Sequence, residues 1–275
     1  MSVVTGLDAA VLVRPTRWAG FSAACHSEWI KFRSLHSNRA ALTGAAVLTV
    51  AIGALLAMAT SSHFHPGLVA GQAAWDPTSV SLMGIGVVEL ALAVLGVVMI
   101  SAEYPTGLIW VTLSAVPLRG RLLAAKTAVF ALVGLVVGEL LSFAAFAVGQ
   151  VVISGSAPTA SLGQPGVLRA VAGTGLFLAV IGMLGVAVGA LVRSTTGGVA
   201  VMVALMFVLP GLGQVLPESW RDPMLEFWPT QAGGQMLNVA PQAHALGPWA
   251  GLGLLVGFTA LVGAAAAARF VYAES

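Results

Sequence analysis

The chain has 275 residues, of which 58% are hydrophobic and only 8% charged, with a formal net charge of +2. A soluble domain carries roughly 25% charged residues, so there is too little charge here to coat a water-facing surface. The slight positive balance, with basic residues beside apolar blocks instead of in a patch with aromatics, speaks against a nucleic-acid partner, and Cys25, the single cysteine, excludes an internal disulfide or a cysteine metal cluster.

The apolar residues are mainly Ala, Val and Leu with 33 Gly, and they come in long blocks, not in the two-residue alternation of barrel strands. The expected fold is an all-α integral membrane protein of six transmembrane helices, preceded by an N-terminal amphipathic interfacial helix, with both termini cytoplasmic. It divides into a cytoplasmic N-terminal segment (1–39), a transmembrane domain (40–268) and a cytoplasmic tail (269–275).

In the first segment Trp18, Phe21, Cys25, Trp29 and Phe32 recur at three- and four-residue intervals, flanked by Arg17, Glu28, Lys31 and Arg33. That spacing predicts an amphipathic helix on the inner leaflet, against the alternative of a disordered basic tail, which seldom carries aromatics at helical spacing. No short apolar core ending in a small-residue cleavage site stands in these first forty residues, so no cleavable signal is expected.

Six blocks reach the roughly 20 residues a helical crossing needs: about 40–60, 78–100, 122–153, 170–192, 197–216 and 248–268. The third is longer than one crossing requires and predicts tilt or an extension beyond the bilayer. Between the fourth and fifth, the polar stretch from Arg193 to Gly198 predicts a helical hairpin. With the amino terminus inside, Arg14, Arg17, Lys31, Arg33, Arg39, Arg119, Arg121, Lys126, Arg193 and Arg269 fall on inner segments and only Arg169 and Arg221 on outer ones, which sets the orientation.

The inner connection 102–121 predicts a short helix starting near Pro105 and ending before Pro117. The outer connection 217–247, with Trp220, Phe227 and Trp228, predicts short or re-entrant helices at the interface, an ordinary exposed loop being the alternative. His63 and His65 in the first outer loop have no third ligand nearby and read as solvated residues more readily than as a metal site. Small-residue pairs at Gly134/Gly138, Gly185/Gly189 and Gly253/Gly257 permit close helix contact, within one chain in preference to a dimer seam.

Two acids stand inside predicted spans, Glu89 and Glu139. A charge at such depth costs at least about 2.5–3.5 kcal/mol, so each is expected to be neutral, paired or turned to a wet cavity. Either they line a substrate pathway or they are hydrogen-bonded packing residues; a cationic or amphipathic substrate follows from the first option. No catalytic residue, metal site or cofactor bound by the chain is expected. The nearest approach to a phosphate cradle, Gly120 with Ala125-Lys126-Thr127, lacks the second glycine and opens an apolar span.

Several segments resemble the ABC-2 type permease family, the membrane subunits of ATP-driven exporters. They are Glu28-Trp29-Ile30-Lys31-Phe32-Arg33-Ser34-Leu35, Glu103-Tyr104-Pro105-Thr106-Gly107, Pro117-Leu118-Arg119-Gly120-Arg121 with Ala124-Ala125-Lys126, and the outer Trp228-Pro229-Thr230-Gln231-Ala232-Gly233-Gly234-Gln235. Pro105 departs from the family, where a basic residue often follows the tyrosine. The resemblance implies a permease subunit in the cell membrane that pairs with a second permease chain, identical or related, and couples to a separate ATP-binding cassette subunit carrying ATP and Mg. It implies coupling residues Glu28, Lys31, Arg33, Glu103, Tyr104, Thr106, Gly107, Arg119, Arg121 and Lys126. The competing classes are a proton-coupled secondary transporter using Glu89 and Glu139, for which no inverted repeat is visible, and a membrane enzyme, for which no zinc or nucleophile motif is present.

Overall fold

The structure, a computed structural model, describes residues 17–64, 75–105, 119–240, 242 and 244–272. Among them every regular element is helical: α1 (Arg17–Ser34), α2 (His36–Ser62), α3 (Pro77–Ser81), α4 (Ile85–Ser101), α5 (Arg119–Ile153), α6 (Val167–Val192), α7 (Thr195–Gly213), α8 (Glu218–Glu226), α9 (Pro229–Gly234) and α10 (Pro248–Tyr272). Five of these, α2, α5, α6, α7 and α10, are long and apolar enough to cross a membrane, and α4 is a shorter apolar helix of 17 residues.

Helix α6 is the axis of the bundle. Its most apolar stretch is 78% buried, against 22% for α2 and for α10, and it packs against α5, α4, α10 and α7. Close approach explains the burial. A Cβ at Gly185 would collide with the Ala93 carbonyl, and one at Gly96 with the Gly182 carbonyl, so α4 and α6 meet backbone to backbone. Gly134 and Gly138 rest on Ala179 and Gly175 in the same way, joining α5 to α6. Gly134, Gly138, Gly185 and Gly189 thus serve contacts within the chain, whereas Gly253 and Gly257 of α10 face open space. The outer helices leave long apolar faces bare, including Val47, Leu55, Leu132, Leu140, Val151 and Leu261. Faces of this extent exceed what a monomer shows to water and point to a membrane-embedded chain.

The second apolar block is divided. Asp76 caps α3 by accepting from the Thr78 and Ser79 amides at 3.0 and 3.1 Å, with Pro77 at the first helical position. Residues 82–84 then tighten into bonds three residues apart, Met83 N to Val80 O and Ile85 N to Leu82 O, before α4 begins. Gly84 lies there on the α2 backbone at Thr49 and Gly53, a contact that leaves no room for a side chain.

Helix α7 is interrupted as well. Pro210 has no amide to donate, and just before it residues Ala204–Val208 form a π turn in which the Leu209 amide reaches back to Ala204 O. The Leu205 carbonyl, freed by that shift, accepts from the indole Nε1 of Trp228 at 2.7 Å and from the Thr230 hydroxyl at 3.3 Å. The outer connection therefore docks its Trp228-Pro229-Thr230 turn onto the interrupted helix. It contains the short helices α8 and α9 and a 3-10 turn, Gln235–Leu237.

Helix α1 is present and packs on α5. Ala24, Glu28 and Phe32 are buried, while Trp29 and Ile30 are exposed. Phe32 meets Phe130 of α5 edge to face at 5.9 Å. Within that buried stripe Glu28 is a carboxylate with a partner on α5.

Candidate functional site

That partner is Lys126, two turns into α5 and 1% exposed. Its ammonium donates to Glu28 Oε2 at 2.6 Å, to Glu103 Oε1 at 2.7 Å and to the Met99 carbonyl at 3.4 Å, which occupies all three of its hydrogens. Lys31 stands over the same pair, 2.9 Å from Glu28 Oε1 and 3.2 Å from Glu103 Oε1. Two cations and two anions give a neutral cluster, which is the condition for placing charges among apolar helices. Burial works against the charge on Lys31, but the hydrogen bond to Glu28 and the negative fields of Glu103 and Glu28 outweigh it and hold Lys31 above the ordinary lysine value. On the neighbouring turn of α1, burial and the Glu28 charge push the Cys25 thiol up.

Glu103 belongs to the turn that follows α4, and the next residue ties that turn to the other side of the bundle. The Arg193 guanidinium lies 5.7 Å from the centroid of the Tyr104 ring. Arg193 also donates to the Arg269 carbonyl at 3.1 Å, and Arg269 donates to Leu191 O. Ser101 and Thr195 share a hydroxyl hydrogen bond of 2.8 Å. Arg193 ends α6 at φ 60°, a left-handed position that usually falls to glycine. The stretch 101–104 is thus a knot with α1 and α5 on one side and α6, α7 and α10 on the other.

Of the ten residues expected to couple to a partner, the structure brings four, Glu28, Lys31, Glu103 and Lys126, into this one cluster. Glu28 and Lys126 are buried, so they bind each other and not an external surface. Tyr104 sits beside them in the cation–π contact. Arg33 is exposed, and Arg121 lies with its guanidinium against Gly20 of α1. Thr106 and Gly107, the expected short helix beyond its start at Pro105, and the Arg119 side chain lie outside the described residues. Lys126, considered above beside a phosphate-cradle pattern, is committed to carboxylates on a continuous helix.

The opposite end of the bundle is tied by residues that the motif reading passed over. Asp76 Oδ2 accepts from the amides of Val239 and Ala240 at 2.7 and 3.1 Å, so one carboxylate caps α3 and holds the outer connection. Arg169 donates to Asn238 O at 2.8 Å, and Gln150 spans Pro77 O, the Ser81 hydroxyl and the Ala160 amide. The Asp76-Pro77 pair before two hydroxyl residues was a readable cap signal; the remote partners were not. A polar cavity of about 510 Å³ opens at this end, with Glu218, Arg221, Asp222 and Gln231 in its wall. His63 is exposed, and His65 lies outside the described residues.

Glu89 and Glu139 are both partly buried, and neither carboxylate has an ion-pair partner among the described residues. The Glu139 carboxyl lies on the bare backbone of Gly175, where an added Cβ would stand 2.5 Å from its Cδ. No protein-family model matches the sequence, and no curated protein matches it. The chemistry of the two ends therefore carries the functional reading.

Proposed function

We propose that this chain is the permease subunit of an ATP-driven exporter in the cell membrane, crossing the bilayer six times with both termini in the cytoplasm. In this reading α3 and α4 together make the second crossing, α1 lies along the inner leaflet with Trp29 and Ile30 toward lipid, and α8 and α9 sit at the outer interface. A separate ATP-binding cassette subunit binds ATP and Mg and hydrolyses the nucleotide, and a second permease chain completes the pathway.

The observation that carries the proposal is the Lys126 cluster. It gathers residues from three segments with the ABC-2 resemblance, at the end of the bundle where lysine and arginine concentrate, and fastens α1 to α4 and α5. A force applied to α1 or to 102–121 by a closing ATPase passes through the cluster into two crossings, and through Tyr104 and Arg193 into α6 and α10. That is what a coupling element needs: a surface to push and a rigid joint behind it. Arg33 and Arg121 supply the surface, and the buried charges supply the joint.

The test is purification of the tagged chain from its native membranes in mild detergent. An ATP-binding cassette protein is expected to co-elute, with ATP hydrolysis dependent on the pair and weakened by Arg33→Glu with Arg121→Glu. Recovery of a monodisperse chain with no nucleotide-binding partner overturns the reading. Topology is tested in a Cys25→Ser background: an impermeant maleimide outside intact cells should label cysteine at Ser156 and spare cysteine at Ser34 or Ser194.

A further inference from the structure

At the outer end a second hollow, of about 340 Å³, opens between the start of α6, the start of α10 and the connection that leads into α10. Arg169, the third residue of α6, is the one charged side chain among the described residues that line it. Side-chain amides of Gln235, Asn238 and Gln242 supply the rest of its polar wall, and Leu246 and Trp249 stand in its apolar one.

Arg169 is held in place without being neutralised. Its Nη2 donates to Asn238 O at 2.8 Å and its Nη1 to Met236 O at 3.4 Å, both uncharged acceptors, and a guanidinium has five hydrogens to give. No carboxylate pairs with it among the described residues. Asp76, which holds the amides of Val239 and Ala240, spends its oxygens on four backbone amides and does not line the hollow. A half-buried guanidinium fixed by neutral dipoles is set to receive an anion, through two parallel hydrogen bonds where the anion is a phosphate. The larger outer cavity shares Gln235, Gln242 and Ala245 with this one but carries Glu218, Asp222 and Glu226 around Arg221, so an anion is turned toward the Arg169 side.

The surroundings say which anion. Trp249 is 61% exposed and Leu168, next to Arg169, is 53% exposed, and each is the second residue of a long apolar helix, at the depth where headgroups meet acyl chains. A free anion gains nothing from these apolar neighbours, whereas a phospholipid presents a phosphate and an acyl chain together. We infer that this hollow binds a phospholipid of the outer leaflet, its phosphate oxygens on Arg169 and its glycerol and upper acyl chain against Leu246 and Trp249. The inference rests on the proposed topology for the identity of the leaflet alone. Maleimide labelling decides that topology, and the site itself is tested on the chain without any ATPase.

The experiment titrates the purified, delipidated chain in mild detergent with a phosphatidylglycerol that carries a photoactivatable diazirine near the head of one acyl chain, and maps the crosslinks by mass spectrometry. Saturable crosslinking is expected within residues 245–249, competed by unlabelled phosphatidylglycerol and not by a diacylglycerol with the same chains or by inorganic phosphate at the same concentration. Half-saturation should rise roughly tenfold or more in Arg169→Gln, the loss of a charged phosphate contact. Gly247→Trp gives an independent route to the same loss: a Cβ at Gly247 meets nothing within 4 Å, so a large side chain is accepted there and narrows the hollow without touching Arg169. Arg39→Gln, which removes an exposed cation near the start of α2, should change nothing. Each variant is compared at equal helicity and monodispersity. Wild-type half-saturation in either Arg169→Gln or Gly247→Trp, competition by diacylglycerol or inorganic phosphate equal to that by phosphatidylglycerol, or no saturable crosslinking in well-folded wild-type protein would overturn the inference. A chain that purifies with no ATPase but still takes the lipid at 245–249 would leave the site standing and remove the permease reading.

Discussion

Lys126 Nζ stands 2.6 Å from Glu28 Oε2, a contact between residues 98 apart in sequence with both side chains nearly inaccessible to solvent. Breaking a buried pair of this kind from one side leaves a charge with no water to receive it, at a cost of about 3–5 kcal/mol. Lys126→Met should therefore lower the thermal midpoint of the detergent-solubilised chain more than any single surface change. The double variant Lys126→Met with Glu28→Met, which removes both charges, should recover part of that loss. A double variant no better than the single one would show that the pair acts through something other than its charge.

The alkaline limb of stability belongs to Lys31. Its folded value lies above the ordinary 10.5, so its contribution is complete below that value and disappears as pH rises through the folded one. Because Lys31 is 41% exposed, screening keeps the contribution small, under about 1 kcal/mol. Melting curves from about pH 9 to about pH 12 should show wild type and Lys31→Gln converging only beyond the ordinary lysine range. A difference that does not change with pH would sever the link to Lys31.

Asp76 gives both of its oxygens to backbone amides, two at the start of α3 and two in the outer connection. Asp76→Ala removes a helix cap and strands the Val239 and Ala240 amides, for a loss of about 2 kcal/mol. Hydrogen exchange should quicken at residues 78–79 and 239–240 together. Acceleration at the first pair alone would mean that the carboxylate does not hold the outer connection.

Trp228→Phe keeps an aromatic side chain but removes the indole donor to Leu205 O along with part of the ring, and the lost hydrogen bond alone is worth about 1 kcal/mol. The expected sign is faster exchange across 204–210 with the rest of α7 unaltered. Unchanged exchange there would show that the π turn persists without its outside partner.

The helices were legible in the sequence because the apolar blocks are long and their borders polar. The reading of 122–153 met α5 to within three residues at its start, and 248–268 met α10 to within four at its end. The two interruptions were not. That of α7 depends on Trp228 reaching Leu205, and the turn at 82–84 on the α2 backbone lying against Gly84; neither partner is near in sequence. The cluster was half visible: Glu28, Lys31, Glu103 and Lys126 stood out in their segments, but one-dimensional spacing could not show that they pair with one another. The aromatic spacing of α1 predicted a helix but could not show that Ala24, Glu28 and Phe32 turn to α5, since hydrophobicity alone gives no weight to a glutamate with a buried lysine waiting for it.

The glycine seam between α4 and α6 has a mechanical consequence. Two rods in backbone contact along several turns have no compliant layer of side chains between them, so sliding or separation would tear open the whole seam at once. They form a fixed mast. Whatever motion the protein undergoes is left to the lightly embedded α2 and α10, which can swing against that mast as leaves swing on a doorpost.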